Sequence, residues 1–299
     1  MINLDKSIIN TLKFCIMKKT LKAFMLVLMS VSFLAFTSCT PKDEPTPDTP
    51  TPDNPTPDNP TPDTPTTSGD SWAYLINETP HDAVVNGNTL TYGSHTYTVT
   101  GEINIDETQD FQTPTAFVSF TNIPSGFTEF KAVYETFLGK SIQGTAAMIP
   151  MAMEIYARDA DLGERCFNLI CNSDATVSGI IRILKTKFNY SPYSPEDDAY
   201  VQRYLPAVTM KNAAWNNGYN PTEPYTLEMV RSANAPQETT FTGYGMVYYI
   251  YILAPGGWDT FQRSVEIWQP MGSDMYKVFN CPALYTQCKN IYGTWNGLK

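Results

Sequence analysis

Histidine is nearly absent: His81 and His95 are the only two in 299 residues. That excludes an H-E-x-x-H zinc pattern, and a Ser–His or Cys–His nucleophile would have to recruit one of these two. Basic clusters are missing as well. Lys and Arg total 20 against 30 Asp and Glu, for a net charge of −10. Such a balance argues against nucleic acid and against anionic lipid headgroups as partners. No G-x-S-x-G, P-loop or G-x-G-x-x-G occurs, so no cofactor is expected and no catalytic residue is assigned. The cysteines make no zinc spacing, and no metal site is expected. Long apolar runs are absent with one exception, residues 23–36. That run is too short for a comfortable membrane span but fits the apolar core of a signal peptide.

What is present begins with that run. Lys18, Lys19 and Lys22 precede it, and Met17 opens a stretch that would make a complete signal alone, so the true start is expected at Met17 and a signal peptide over 1–38. Phe36-Thr37-Ser38-Cys39 resembles the lipobox of bacterial lipoproteins, in which the thiol is acylated and the chain is cut in front of it. The resemblance implies a palmitate-type lipid anchor on Cys39, each buried methylene contributing about 0.8 kcal/mol to membrane attachment. Lys42-Asp43-Glu44 is similar to the export signal of Bacteroidota-type surface lipoproteins, which implies the outer membrane with the domain facing the cell exterior. From Pro45 to Thr64 a Pro-Thr-Pro-Asp repeat follows. Proline at this density removes donors and fixes φ, so residues 39–70 read as a lipidated cysteine on a disordered stalk. At about 3.1 Å per residue the repeat would reach roughly 60 Å.

The remainder divides into a β-rich segment, 71–125, and a globular domain, 126–299. Val84-Val85, Asn86-Gly87 and Thr89-Leu90-Thr91-Tyr92 predict a hairpin with a type I′ turn, and Gly93-Ser94 a second turn of the type II′ kind. Strands are expected over His95–Ile105 and Ala116–Phe120. The period then becomes helical. Phe127, Phe130, Tyr134, Phe137 and Leu138 form one stripe, stopped by Gly139. Ile149, Ala152, Met153 and Tyr156 form a second, with Pro150 starting or kinking that helix. Leu162, Cys166, Leu169 and Ile170 form a third. Val177, Ile180, Ile181, Leu184 and Phe188 form a fourth, N-capped by Ser173. Glu196-Asp197-Asp198 opens a short fifth. Four strands close the chain: Tyr225–Arg231, Met246–Ala254, Arg263–Gln269 and Met275–Phe279. The fold class is α+β: an N-terminal β meander, a central bundle of about five helices, and a C-terminal antiparallel sheet packed on the helices.

Gly144-Thr145-Ala146-Ala147, Ala152, Tyr156, Leu162-Gly163 and Cys166 are similar to the helical half of an uncharacterised domain family in Bacteroidota-type lipoproteins. Tyr204-Leu205-Pro206 and Asn217-Gly218-Tyr219-Asn220-Pro221-Thr222-Glu223-Pro224-Tyr225 resemble the linker which that family places before its sheet. The resemblance covers about 130–299 and leaves the strands of 84–120 outside it. It implies a fold and a location, and no activity.

Two features remain open on sequence. Cys281 and Cys288 could close a small loop, or Cys166, Cys171, Cys281 and Cys288 could be free, partly buried thiols. Trp215, Trp258 and Trp268 sit near turns or strand ends, where a ring could stack on a sugar, or they belong to the core and rim of a tyrosine-rich sheet. Three functions are compatible with these readings. The first is a surface-tethered binding module with a glycan or protein ligand. The second is a glycan-degrading or other carboxylate enzyme, and the third a structural envelope component.

Overall fold

The computed structural model describes residues 78–105, 110–188, 202–240, 243–254, 256–257, 261–285, 288–289 and 297–299. Its class is α+β. Strands β1 (Ala83–Asn86), β2 (Thr89–Tyr92), β3 (His95–Gly101) and β4 (Ala116–Phe120) come first. Helices α1 (Phe127–Thr136), α2 (Ile142–Arg158), α3 (Ala160–Ile170), α4 (Asp174–Phe188) and the short α5 (Leu205–Val208) follow. The chain then returns to β5 (Tyr225–Arg231), β6 (Gln237–Thr239), β7 (Gly245–Leu253), β8 (Gln262–Pro270) and β9 (Lys277–Asn280). The nine strands of the described residues join one antiparallel sheet in the order β1-β2-β3-β4-β5-β7-β8-β9, with β6 paired to β7. The early meander and the late strands meet where β4 pairs with β5, Ala116 opposite Met229 and Phe120 opposite Tyr225.

The alternation of each strand decides which side is buried. Leu90, Tyr97, Val118, Leu227, Ile252 and Ile267 point to one face and are fully buried there with the apolar stripes of the helices. Helix α2 is the centre of that layer. It is buried from Gln143 to Tyr156, Pro150 included, so its stability comes from packing on all sides more than from its backbone ladder. Met148, Met151 and Met153 are core filler on this helix. Helices α2 and α3 approach backbone to backbone at Gly163, where a Cβ would sit 2.3 Å from Cα of Tyr156. Ser141 Oγ accepts from Gly144 N at the start of α2, and Ser173 Oγ accepts from Thr176 N at the start of α4, as its capping reading expects.

Several local expectations are corrected. The first hairpin turns at Gly87-Asn88, one residue beyond the Asn86-Gly87 signal, with Asn86 opposite Thr89. Gly87 has φ +59° and Asn88 stays out of the left-handed region, so one glycine supplies the conformation and the type I′ pattern is not used. Gly93, at φ +58°, opens the second turn as expected. Pro150 lies inside a helix that begins at Ile142. Strand β6 has no apolar alternation and was not foreseen. The helix read at Glu196-Asp197-Asp198 lies outside the described residues, and α5 is a turn of helix that the sequence did not announce. No described helix is long and apolar enough to cross a membrane.

Candidate ligand-binding face

The opposite face of the sheet carries different chemistry. Strand alternation sends Thr89 and Thr91 of β2, Thr96, Thr98 and Thr100 of β3, Ser119 of β4 and Thr226 of β5 away from the helices. The register aligns Thr89, Thr98, Ser119 and Thr226 in one row across four strands. Thr89 Oγ1 and Thr98 Oγ1 are 3.0 Å apart and hydrogen-bonded, as are Ser119 Oγ and Thr226 Oγ1 at 2.9 Å. Thr121 Oγ1 accepts from Thr96 N beside them. All of these hydroxyl residues are half-buried or exposed. At the Thr98–Ser119 centre of the row lies a shallow cleft of about 380 Å³, lined by Thr96, Thr98, Ser119, Phe120, Thr121, Glu223 and Pro224.

The loop that precedes β5 makes one wall of this cleft. Lys211 N donates to the Thr226 carbonyl, and Lys211 Nζ reaches Glu228 Oε1 at 2.6 Å. Lys299 Nζ lies 2.9 Å from Glu223 Oε1. Glu223, which lines the cleft, and Glu228, on the same face of β5 as Thr226, each carry a lysine. Phe117, half-buried on the same face, adds a ring next to Thr100 and Glu228 in the register.

The other chemically dense place is a buried node under the β2–β3 turn. Glu129 stands in the first turn of α1 and is 1% exposed. Its Oε1 accepts from Tyr97 OH and contacts His95 Nδ1, both at 2.7 Å, and its Oε2 accepts from Ser125 N and Ser125 Oγ, both at 2.7 Å. Burial alone would raise the carboxyl, but the bonds from His95, Ser125 and Tyr97 outweigh it and hold Glu129 below its ordinary value. The same node pushes Tyr97 up, through burial and then the adjacent carboxylate. A carboxylate orienting an imidazole is an arrangement used by catalytic bases. Here, however, Ser125 Oγ donates to Glu129 and not to His95, so it is not lined up with the ring as a nucleophile. The node ties the β2–β3 hairpin to α1, whose N-cap, Gly126, has no side chain to offer. Glu78 Oε1 completes the cap by accepting from Glu129 N.

A second buried node lies on α2. Arg158 Nη2 and Nε approach Glu154 Oε1 at 2.9 and 3.0 Å, with both side chains 1% exposed. Arg158 Nη2 also donates to the Leu298 carbonyl, and Leu298 N donates to Glu154 Oε1. Burial pushes the carboxyl up and the guanidinium down, each toward its neutral form, and their direct contact opposes both shifts.

The aromatic candidates separate. Trp215 is 50% exposed on the loop that also carries Lys211, with Lys289 over its ring. Trp268 is 7% exposed, its ring lying against Gly243 and Gly245. Trp258 lies outside the described residues, as do Cys39 and Lys42, Asp43 and Glu44. Cys166, Cys171, Cys281 and Cys288 are free and buried, so the free-thiol alternative holds. Burial pushes Cys171 and Cys288 up to about 12 and raises Cys166 and Cys281 too, which removes them as nucleophiles near neutral pH. Neither the hydroxyl row nor Glu129 stood out in the sequence. The signal for the row was the Thr96, Thr98, Thr100 alternation.

The family described as Domain of unknown function (DUF6935) matches residues 122–292. The chain belongs to this family. No curated protein and no solved structure matches it. The DUF6935 match begins just after β4, so it takes in the described helices and β5–β9 and leaves β1–β4 outside. The hydroxyl row therefore straddles the boundary: Thr226 and the Lys211–Glu228 pair belong to the DUF6935 region, while Thr89, Thr98 and Ser119 come from the strands added before it.

Proposed function

We propose that this protein is a cell-surface lipoprotein of Bacteroidota type, anchored through acylated Cys39 and addressed outward by Lys42-Asp43-Glu44, which presents the DUF6935 domain and its added strands as a ligand-binding module. One observation carries the binding reading: the described helices cover one face of the sheet, and on the other the row Thr89–Thr98–Ser119–Thr226 stays partly exposed among the described residues, with a cleft at its Thr98–Ser119 centre. A hydroxyl row has no role in the core and offers both donors and acceptors to a ligand. Binding is preferred to catalysis because the buried thiols are held protonated and because Glu129 spends both oxygens on the fold.

The anchor and the binding site are tested separately. Cys39→Ser should abolish incorporation of a fatty-acid probe and move the protein to a soluble fraction; a Cys39→Ser chain that still takes up the probe contradicts the anchor. For binding, the full mature chain carrying Cys39→Ser is screened against immobilised glycans and peptides beside a matched chain that also carries Thr98→Val and Thr226→Val. Valine keeps the β-branched shape and removes the hydroxyl. A ligand retained by the first and lost by the second, at an unchanged unfolding midpoint, is the expected result. Ligands that hold both chains equally would place the site elsewhere.

A further inference from the structure

We infer that the ligand of this face is an uncharged carbohydrate chain, an inference that rests on the binding reading above. Hydrogen-bond chemistry is the first argument. In the Thr89–Thr98 pair one proton is used between the partners and one donor is left. In the Ser119–Thr226 pair Thr226 Oγ1 donates to the Pro224 carbonyl and Ser119 to Thr226, so that pair offers lone pairs, while Thr121 Oγ1, which accepts from Thr96 N, keeps its proton at the cleft. An anion asks only for donors and a cation only for acceptors. A surface of alternating donors and acceptors matches a partner built the same way, and a sugar hydroxyl is such a group.

Charge is the second argument. Glu223 of the cleft is paired with Lys299, and Glu228, on the same face of β5 as Thr226, with Lys211. No cation among the residues lining the cleft is left to hold a carboxylate, sulfate or phosphate. Uronic-acid and sulfated polymers therefore lack a partner here, and neutral chains meet no penalty.

Shape is the third. Neighbouring strands repeat about every 4.8 Å, and same-face residues along a strand about every 6.7 Å. The hydroxyls thus form a grid across β2–β5 that is open at the surface, suited to an extended chain more than to an enclosed small molecule. Phe117 and Pro224 border it with apolar surface on which the C–H face of a sugar ring can lie. A protein partner would call for an apolar, aromatic patch centre, and this centre is made of hydroxyls.

The test is affinity electrophoresis of the full mature chain carrying Cys39→Ser, in gels containing a soluble neutral glucan, a neutral mannan, a neutral galactan or polygalacturonate. Retardation by at least one neutral polymer and not by polygalacturonate is expected, with a tenfold or greater loss of association constant in Thr98→Val/Thr226→Val. If that variant's unfolding midpoint falls, Ser119→Ala on the same row repeats the comparison. Retardation by polygalacturonate alone, lost in the variant, overturns the uncharged ligand and keeps the face. Retardation by a neutral polymer that the variant retains in full overturns the face itself. No retardation by any neutral polymer overturns the carbohydrate inference, and the peptide arm of the ligand screen then decides the face.

Discussion

Glu129→Leu is expected to lower folding stability by about 3–5 kcal/mol, read as the shift of the urea midpoint at constant slope. The side chain is buried and takes four hydrogen-bond contacts from three residues on β3 and the segment before α1. Leucine leaves Tyr97 OH, Ser125 N and Ser125 Oγ without that acceptor in a closed site, and each unsatisfied group costs about 1–3 kcal/mol. Glu129→Gln keeps the volume and part of the accepting capacity and should cost less. It should also remove a pH dependence. The folded carboxyl lies below its ordinary value, so its contribution is fully present above the unfolded pKa of about 4.3 and is lost as pH falls through the folded value. Wild type should weaken over that acid range, and Glu129→Gln should show a flatter profile there. A wild-type profile that is flat between about pH 5 and 3 would contradict the account of the node.

The second large effect concerns α2. Arg158→Leu should cost about 3–5 kcal/mol, because it strands a buried carboxylate beside the Leu298 backbone. Adding Glu154→Leu to that variant should return part of the loss, since the uncompensated charge is gone. The double substitution then forfeits the two contacts to residue 298 but no longer buries a lone ion. A double-mutant cycle in chemical denaturation reads this directly. If the double variant is less stable than Arg158→Leu alone, the pair is not acting as an ion pair in the fold.

The parts of the fold with strong periodicity were legible in the sequence. Tyr225–Arg231 alternates Tyr, Leu and Met against Thr and Glu, and the strand has those bounds. The stripes of α1, α3 and α4 set their buried faces for the same reason. What stayed hidden depends on partners far along the chain. His95 and Tyr97 reach Glu129 across 34 and 32 residues. Nothing local marks that glutamate, which reads as an ordinary acid in a first helical turn. The hydroxyl row needs β4 to pair with β5, bringing Ser119 to Thr226 over 107 residues. Trp268 is buried where Gly243 and Gly245 leave room for its ring, and a tryptophan near a strand end does not reveal whether glycines face it.

These buried thiols also make a clean background for labelling the open face on living cells. The described native cysteines are buried and held protonated, so a membrane-impermeant maleimide should leave the wild-type domain unmarked without denaturant. Thr98→Cys places one reactive thiol in the middle of the hydroxyl row. The account predicts that intact cells exporting this variant are labelled at residue 98 as fully as lysed cells. Labelling only after lysis would contradict outward display, and no labelling of the folded protein even after lysis would contradict an uncovered face.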